Sequence, residues 1–294
     1  MKAKWLDWSI FIGLCLIWGS SFILMKKGMF NANGAPTLTA FHVGALRMLS
    51  AGVLLLPVAV NKFRNLSVKH FKLILISALF GSFFPAFLFC IAETKINSAL
   101  AGTLNALTPL FVITIGTLFF NTQAGIRKII GVVVGFIGCA LLFLSHGYKN
   151  LGYIGYALFI LLATMFYGIN VNTIQRHLKE ITSLQIAAIG FSALIPASLS
   201  VLYFTNYFSL PLLQQDYLLS TLFSCILGIL GTAFASIIFY ALVKRTGGLF
   251  SSLVTYGIPF VAIGWGLIAG EEITLLQISC LVVILLGVYI ANKQ

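Results

Sequence analysis

Long apolar runs alternate with short polar gaps along the whole chain. The runs are Trp8–Met25, Leu38–Val60, Phe71–Ala92, Ser98–Phe119, Ile126–Leu144, Leu151–Asn170, Leu184–Phe204, Tyr217–Val243, Gly248–Ala269 and Leu275–Ala291. About 20 apolar residues cross a bilayer as a helix, and a helix satisfies its own backbone where there is no water. The pattern predicts an all-α polytopic membrane protein of ten transmembrane helices.

The runs repeat. Ser98–Phe119 carries Pro109 at its centre, and Gly248–Ala269 carries Pro259 in the same place, 150 positions later. At that shift Gly81 falls on Gly231, Ile113 on Ile263 and Gly116 on Gly266. Trp18-Gly19 aligns with Tyr167-Gly168, and Ser21 with Asn170. Two five-helix units are therefore predicted, over 1–146 and 151–294, joined by a gap at Ser145–Asn150. An odd number of spans inserts the second unit upside down, and inverted repeats place a transport site between them near mid-membrane. A proline within a helix strips the carbonyl four residues earlier of its donor. These carbonyls belong to Asn105 and Thr255, and both are expected to face protein or a watery cavity.

Composition narrows the class. Hydrophobic residues are 60% of the 294 and charged residues 8%, which a soluble protein of this size cannot bury. The net charge of +12 lies in the gaps rather than in a basic domain, so no nucleic-acid partner is expected. Lys62, Arg64, Lys69, Lys72, Arg127, Lys128, Arg176, Lys179, Lys244 and Arg245 fall on one side with both termini, against Lys26, Lys27, Lys95 and Lys149 on the other. The positive-inside rule makes both termini cytoplasmic. Trp8–Met25 is long for a signal peptide and no small-residue cleavage site follows it, so it is read as an uncleaved first span. The five cysteines have neither zinc nor redox spacing; no metal, nucleotide or cofactor site and no catalytic set is expected.

Arg47 is the one Lys or Arg well inside a run. At mid-membrane it needs partners; it serves either as counter-charge to a carboxylate-bearing cargo or as a structural arginine bonded to helix carbonyls. His42 is expected as a polar residue near the interface. Asp7, Glu93, Glu180, Asp216, Glu271 and Glu272 fall at run ends or loops, which weighs against a proton-driven pump; Glu93 is the exception to watch if its helix runs deeper. Polar and aromatic residues gather in the repeat-bearing runs. Trp18, Ser21, Asn105, Thr108, Pro109, Tyr167, Asn170, Tyr240, Thr255, Tyr256, Pro259 and Trp265 are, with Arg47 and Glu93, the candidate substrate pathway; singly, each also reads as helix-packing glue or interface aromatic. Gly131, Gly135 and Gly138 make a flat face for packing or homodimerisation.

These residues resemble the EamA branch of the drug/metabolite transporter superfamily. The marks are Ile17-Trp18-Gly19-Ser20-Ser21-Phe22, the Arg47 neighbourhood, the two proline helices with the segments before them, and Pro259–Asn292 with Gly270, Glu271 and Thr274 on motif positions. The first copy departs, with Phe120-Asn121-Thr122 standing where the second has Gly270-Glu271-Glu272. The resemblance implies a ten-helix carrier of the cell (inner or plasma) membrane, often an exporter of amino acids or related metabolites, with a small-molecule substrate and the bilayer as partners. The expected pathway runs between spans 1, 3 and 4 and spans 6, 8 and 9. A proton-coupled multidrug exporter of the same fold and a non-transporting scaffold are the alternatives.

Overall fold

The computed structural model describes residues 2–63, 66–122, 125–145 and 151–292. Arg64, the gap at 146–150 with Lys149, and Lys293 lie outside the described residues, as do the side chains of Lys2, Lys4, Lys128 and Cys139. Among the described residues the chain forms ten helical rods: α1 Lys2–Met29, α2 Ala40–Phe63, α3 Val68–Glu93, α4 Ser98–Phe119, α5 Ile126–Ser145, α6 Leu151–His177, α7 Ser183–Phe204, α8 Gln215–Thr246, α9 Gly248–Ile268 and α10 Leu275–Asn292. Eight are long and apolar enough to cross a membrane; α5 and α10 contain the shorter apolar stretches Ile129–Gly138 and Leu275–Gly287.

The halves do not form separate cores. Contacts come in pairs that exchange the two halves: α1 lies on α9 as α6 lies on α4, α2 on α8 as α7 on α3, and α1 on α8 as α6 on α3. The pairs α2–α7, α5–α10 and α4–α9 are their own mates. The ends of α4 show the inversion. Glu271, next to the end of α1 through Lys26, accepts from the Ser98 N–H at the start of α4 at 3.0 Å. Arg176, at the end of α6, bonds the Phe120 carbonyl just past the end of α4. The C-termini of α1 and α6 therefore sit at opposite ends of one rod.

Small residues allow these approaches. A Cβ on Gly19 would collide with Val261, and one on its mate Gly168 would collide with the Phe111 carbonyl. In lipid such close packing, rather than apolar burial, holds helices together. The glycines of α5 are used the same way: Gly135 faces Leu110, Gly138 faces Ile284, and Gly287 of α10 rests on the Gly135 backbone and the Gly131 carbonyl. Within one chain this glycine face is therefore taken up by α4 and α10, which is the packing use expected of it.

Both third rods of a half contain a π-helical segment, Leu79–Phe83 in α3 and Leu227–Phe234 in α8. Both proline rods are broken in two. In α4 the break at Ala106–Leu107 puts Pro109 in the first turn of the second piece, where its missing N–H leaves no new gap. This corrects the expected mid-helix kink. The Asn105 carbonyl is met by the Thr108 hydroxyl at 2.7 Å. In α9 the break falls at Leu253, Pro259 lies inside the second piece, and Thr255 donates to the Ser252 carbonyl at 2.7 Å.

The Gly-Glu-x-x-Thr stretch closes one end of the bundle. Gly270 ends α9 with φ 76°, and the Glu271 N–H bonds the Gly266 carbonyl at 2.8 Å, the left-handed helix end that glycine favours. The Glu271 carboxylate pairs with Lys26 at 2.5 Å and caps α4. Thr274 and Gln277 exchange bonds at the start of α10. At the other end Asn121 takes the left-handed position (φ 50°), and the Thr122 N–H bonds the Gly116 carbonyl at 3.0 Å. Thr122, not Asn121, is thus the counterpart of Glu271, a one-residue correction to the sequence alignment.

Two outcomes test this packing. Gly287→Leu should lower the melting temperature in detergent by several degrees, since overpacking against backbone costs about 1–3 kcal/mol; an unchanged melt would refute the close α5–α10 approach. For Glu271, burial acts to raise the carboxyl, but Lys26 and the Ser98 N–H outweigh it and hold it below its usual value. A depressed carboxylate stabilises above its unfolded value and loses that contribution as pH falls through the lowered one. Glu271→Gln should therefore cost about 1–3 kcal/mol near neutral pH, and melting curves of the two proteins should converge on acidification below the usual carboxylate range; a gap that widens with acid would refute this.

Candidate functional site

Between the halves lies a cavity of about 760 Å³ of empty volume, a figure that includes its opening. α1, α3, α4, α6, α8 and α9 all contribute walls, and α2 contributes Arg47. Of the candidate pathway residues, Trp18, Ser21, Arg47, Asn105, Thr108, Tyr167, Asn170, Tyr240 and Thr255 line it.

The two repeated glycines explain how polar side chains reach this space. Gly81, in the π segment of α3, lies against the Asn170 side chain of α6, and its mate Gly231, in α8, lies against the Ser21 hydroxyl of α1. A side chain at either glycine would push that polar group out of place. The π segments also expose backbone at the cavity: Trp18 Nε1 donates to the Gly231 carbonyl at 2.9 Å. Ser77 donates to Asn170 Oδ1 at 2.6 Å, and Tyr240 sits among Ser77, Ser82, Ser236 and Asn170. The apolar walls include Phe22, Phe89 and Phe239; Trp18 stands edge-on to Phe239 at 5.0 Å, and Phe89 stacks on Tyr167 at 6.2 Å.

Arg47 is the charged residue of the lining. It is 9% exposed; its Nε donates to the Thr232 hydroxyl at 2.6 Å and its Nη1 reaches the Met25 sulfur at 4.0 Å. The ion pairs among the described residues, Lys26–Glu271 and Arg245–Asp7, do not include it. Its guanidinium is therefore anchored at the cavity wall by a neutral hydroxyl rather than by an ion pair.

The other candidates lie elsewhere. Pro109 is buried just after the α4 break and Pro259 is buried within the second piece of α9, and Tyr256 is partly buried with its hydroxyl lacking a hydrogen-bond partner among the described residues. Trp265, 37% exposed, donates to the Ser20 hydroxyl at 2.8 Å. Glu93, expected at a run end or loop, is the last residue of α3 and is buried. His42, expected near an interface, is buried and holds the Thr205 carbonyl at 3.0 Å. Sequence reading missed Ser82, Thr232, Ser236 and Ser252. A signal existed for two of them: Ser82 and Thr232 are 150 positions apart and each follows a repeated glycine.

The profile of the EamA-like transporter family matches residues 8–144 and again 154–293. An uncharacterized transporter of Archaeoglobus fulgidus is 22% identical over 290 residues, covering 98% of this chain and 99% of that protein. A WAT1-related chloroplastic protein of Arabidopsis thaliana is 26% identical over 144 residues, 48% of this chain, and the match spans only 33% of the plant protein. A crystal structure matches the fold with a TM-score of 0.64 at 15% identity, covering 96% of this chain and 95% of that one. The chain is a multi-pass membrane protein with the two-repeat fold, and it belongs to the EamA-like transporter family.

Proposed function

We propose that the chain is a secondary transporter of amino acids or related small polar metabolites, working by alternating access between repeats at 1–146 and 151–294. In this reading α5 and α10 also cross, which makes ten spans, both termini are cytoplasmic, and the membrane is the cell (inner or plasma) membrane. The observation that carries it is the cavity between the halves, with aromatic walls, hydroxyls and amides from both repeats, and one arginine outside the ion pairs of the described residues. A carboxylate suits Arg47, because a guanidinium binds it through two parallel hydrogen bonds. Cationic drugs suit the cavity less, since its lining holds a positive charge and no acid. The family membership supports transport over a scaffold role.

The test is uptake of radiolabelled amino acids, nucleosides and cationic dyes into proteoliposomes. Amino acid flux in the wild type that falls about tenfold or more in Arg47→Ala, the loss of one charged hydrogen bond, would support the reading. Dye movement alone would overturn it. The proline rods give a second outcome: in this reading α4 and α9 bend near Pro109 and Pro259, and an alanine at either position stiffens its rod. Pro109→Ala and Pro259→Ala should slow uptake more than they reduce insertion into the membrane, and normal rates in both would sink the idea that the breaks move.

A further inference from the structure

Glu93 is a buried carboxylate that the cavity lining does not include. It is 2% exposed, and neither carboxylate oxygen has a hydrogen-bond partner among the described residues. The end of α3 packs against α1, α2, α4 and α6. Lys26 of α1, Arg47 of α2 and Glu271 after α9 all act on Glu93 electrostatically. Cys90 lies one turn earlier on its own rod. From α6 comes Tyr167, which shares Arg47 and Cys90 as neighbours; the facing piece of α4, Ser98–Asn105, has no titratable side chain. His42 of α2 is engaged with the Thr205 carbonyl.

The charges in this group do not cancel pairwise. Lys26 is already compensated by Glu271 at 2.5 Å. Arg47 is the cation left to balance an ionised Glu93, and Arg47 also faces the cavity. We propose that Glu93 is a proton-carrying carboxyl, protonated when a cargo carboxylate occupies Arg47, so that cargo and proton cross together in the same direction. The proposal rests on the reading of Arg47 as the cargo's counter-charge. A buried carboxylate without donors stays ionised only beside a counter-charge. Once a cargo carboxylate takes that counter-charge, Glu93 accepts a proton from water through one carboxylate oxygen; when the cargo leaves on the other side, Arg47 is free again and the proton returns to water there. The reciprocity of linked binding then makes the proton tighten cargo binding by the factor by which cargo tightens proton binding.

The experiment uses the full chain in proteoliposomes with the membrane potential clamped at zero and a radiolabelled mixture of amino acids as probe. Downhill exchange and accumulation driven by a pH gradient are measured side by side, and a pH dye follows proton uptake by the detergent-solubilised protein on adding the same mixture. The wild type should accumulate label towards the alkaline side, by about tenfold per pH unit at one proton per cargo, and should take up protons with the cargo. Glu93→Gln should lose both accumulation and proton uptake while downhill movement persists at a reduced rate; Glu93→Asp, which keeps a carboxyl, should retain some of each. Downhill movement indifferent to the gradient, accumulation towards the acidic side, or accumulation surviving in Glu93→Gln would overturn the proposal and leave the transporter reading standing. A wild type that neither moves nor binds any amino acid would refute that reading, and this proposal with it.

Discussion

Every backbone group in a lipid-embedded helix needs a partner from within the protein, and four of this structure's helix irregularities turn towards its interior. The π segments of α3 and α8 and the breaks of α4 and α9 all face the cavity between repeats. At three of them a polar side chain meets the backbone: Thr108 on the Asn105 carbonyl, Thr255 on the Ser252 carbonyl, Trp18 on the Gly231 carbonyl. The same irregularities that would be costly against lipid therefore give the protein a polar interior. Packing follows from this. The halves must interleave to cover each other's breaks, so the principal contacts pair α1 with α9 and α6 with α4, and glycines at 19, 168, 81 and 231 let the rods approach closely enough.

Much of this was legible in the sequence because a duplicated unit shows its constraints twice. Pro109 with Pro259 and Gly81 with Gly231 marked the broken rods and the points where α1 and α6 press on them. What the pattern hid was local geometry. A proline at helix centre and a proline in the first turn after a break look alike in a run of apolar residues, so Pro109 was misplaced on its helix. Asn121 and Thr122 were offset by one because an asparagine can take the left-handed backbone position that glycine takes in the other repeat. Glu93 was drawn outside its rod because hydropathy ends a span at the first acid, while the fold continues the helix and buries that acid among groups distant in sequence. The Thr232 partner of Arg47 depends on a contact between rods far apart in the chain, which no local pattern encodes.

The symmetry of the backbone is not matched by symmetry of charge, and the difference falls where the ends of the bundle close. Lys26 and Arg176 are 150 positions apart, at the ends of α1 and α6, and each reaches the left-handed turn that follows the partner repeat's proline rod. Lys26 finds a carboxylate there, Glu271, which also caps α4. Among the described residues Arg176 finds the Phe120 carbonyl, with Thr122 in the place of the acid. One end is thus held by a part-buried ion pair, the other by an arginine's hydrogen bond to a neutral carbonyl, which offers no opposite charge. An alternating carrier built from two identical halves would favour neither closure. In the proposed alternating carrier, an acid at one end and a threonine at the other would weight the two closures differently, with the charged end beside Glu93.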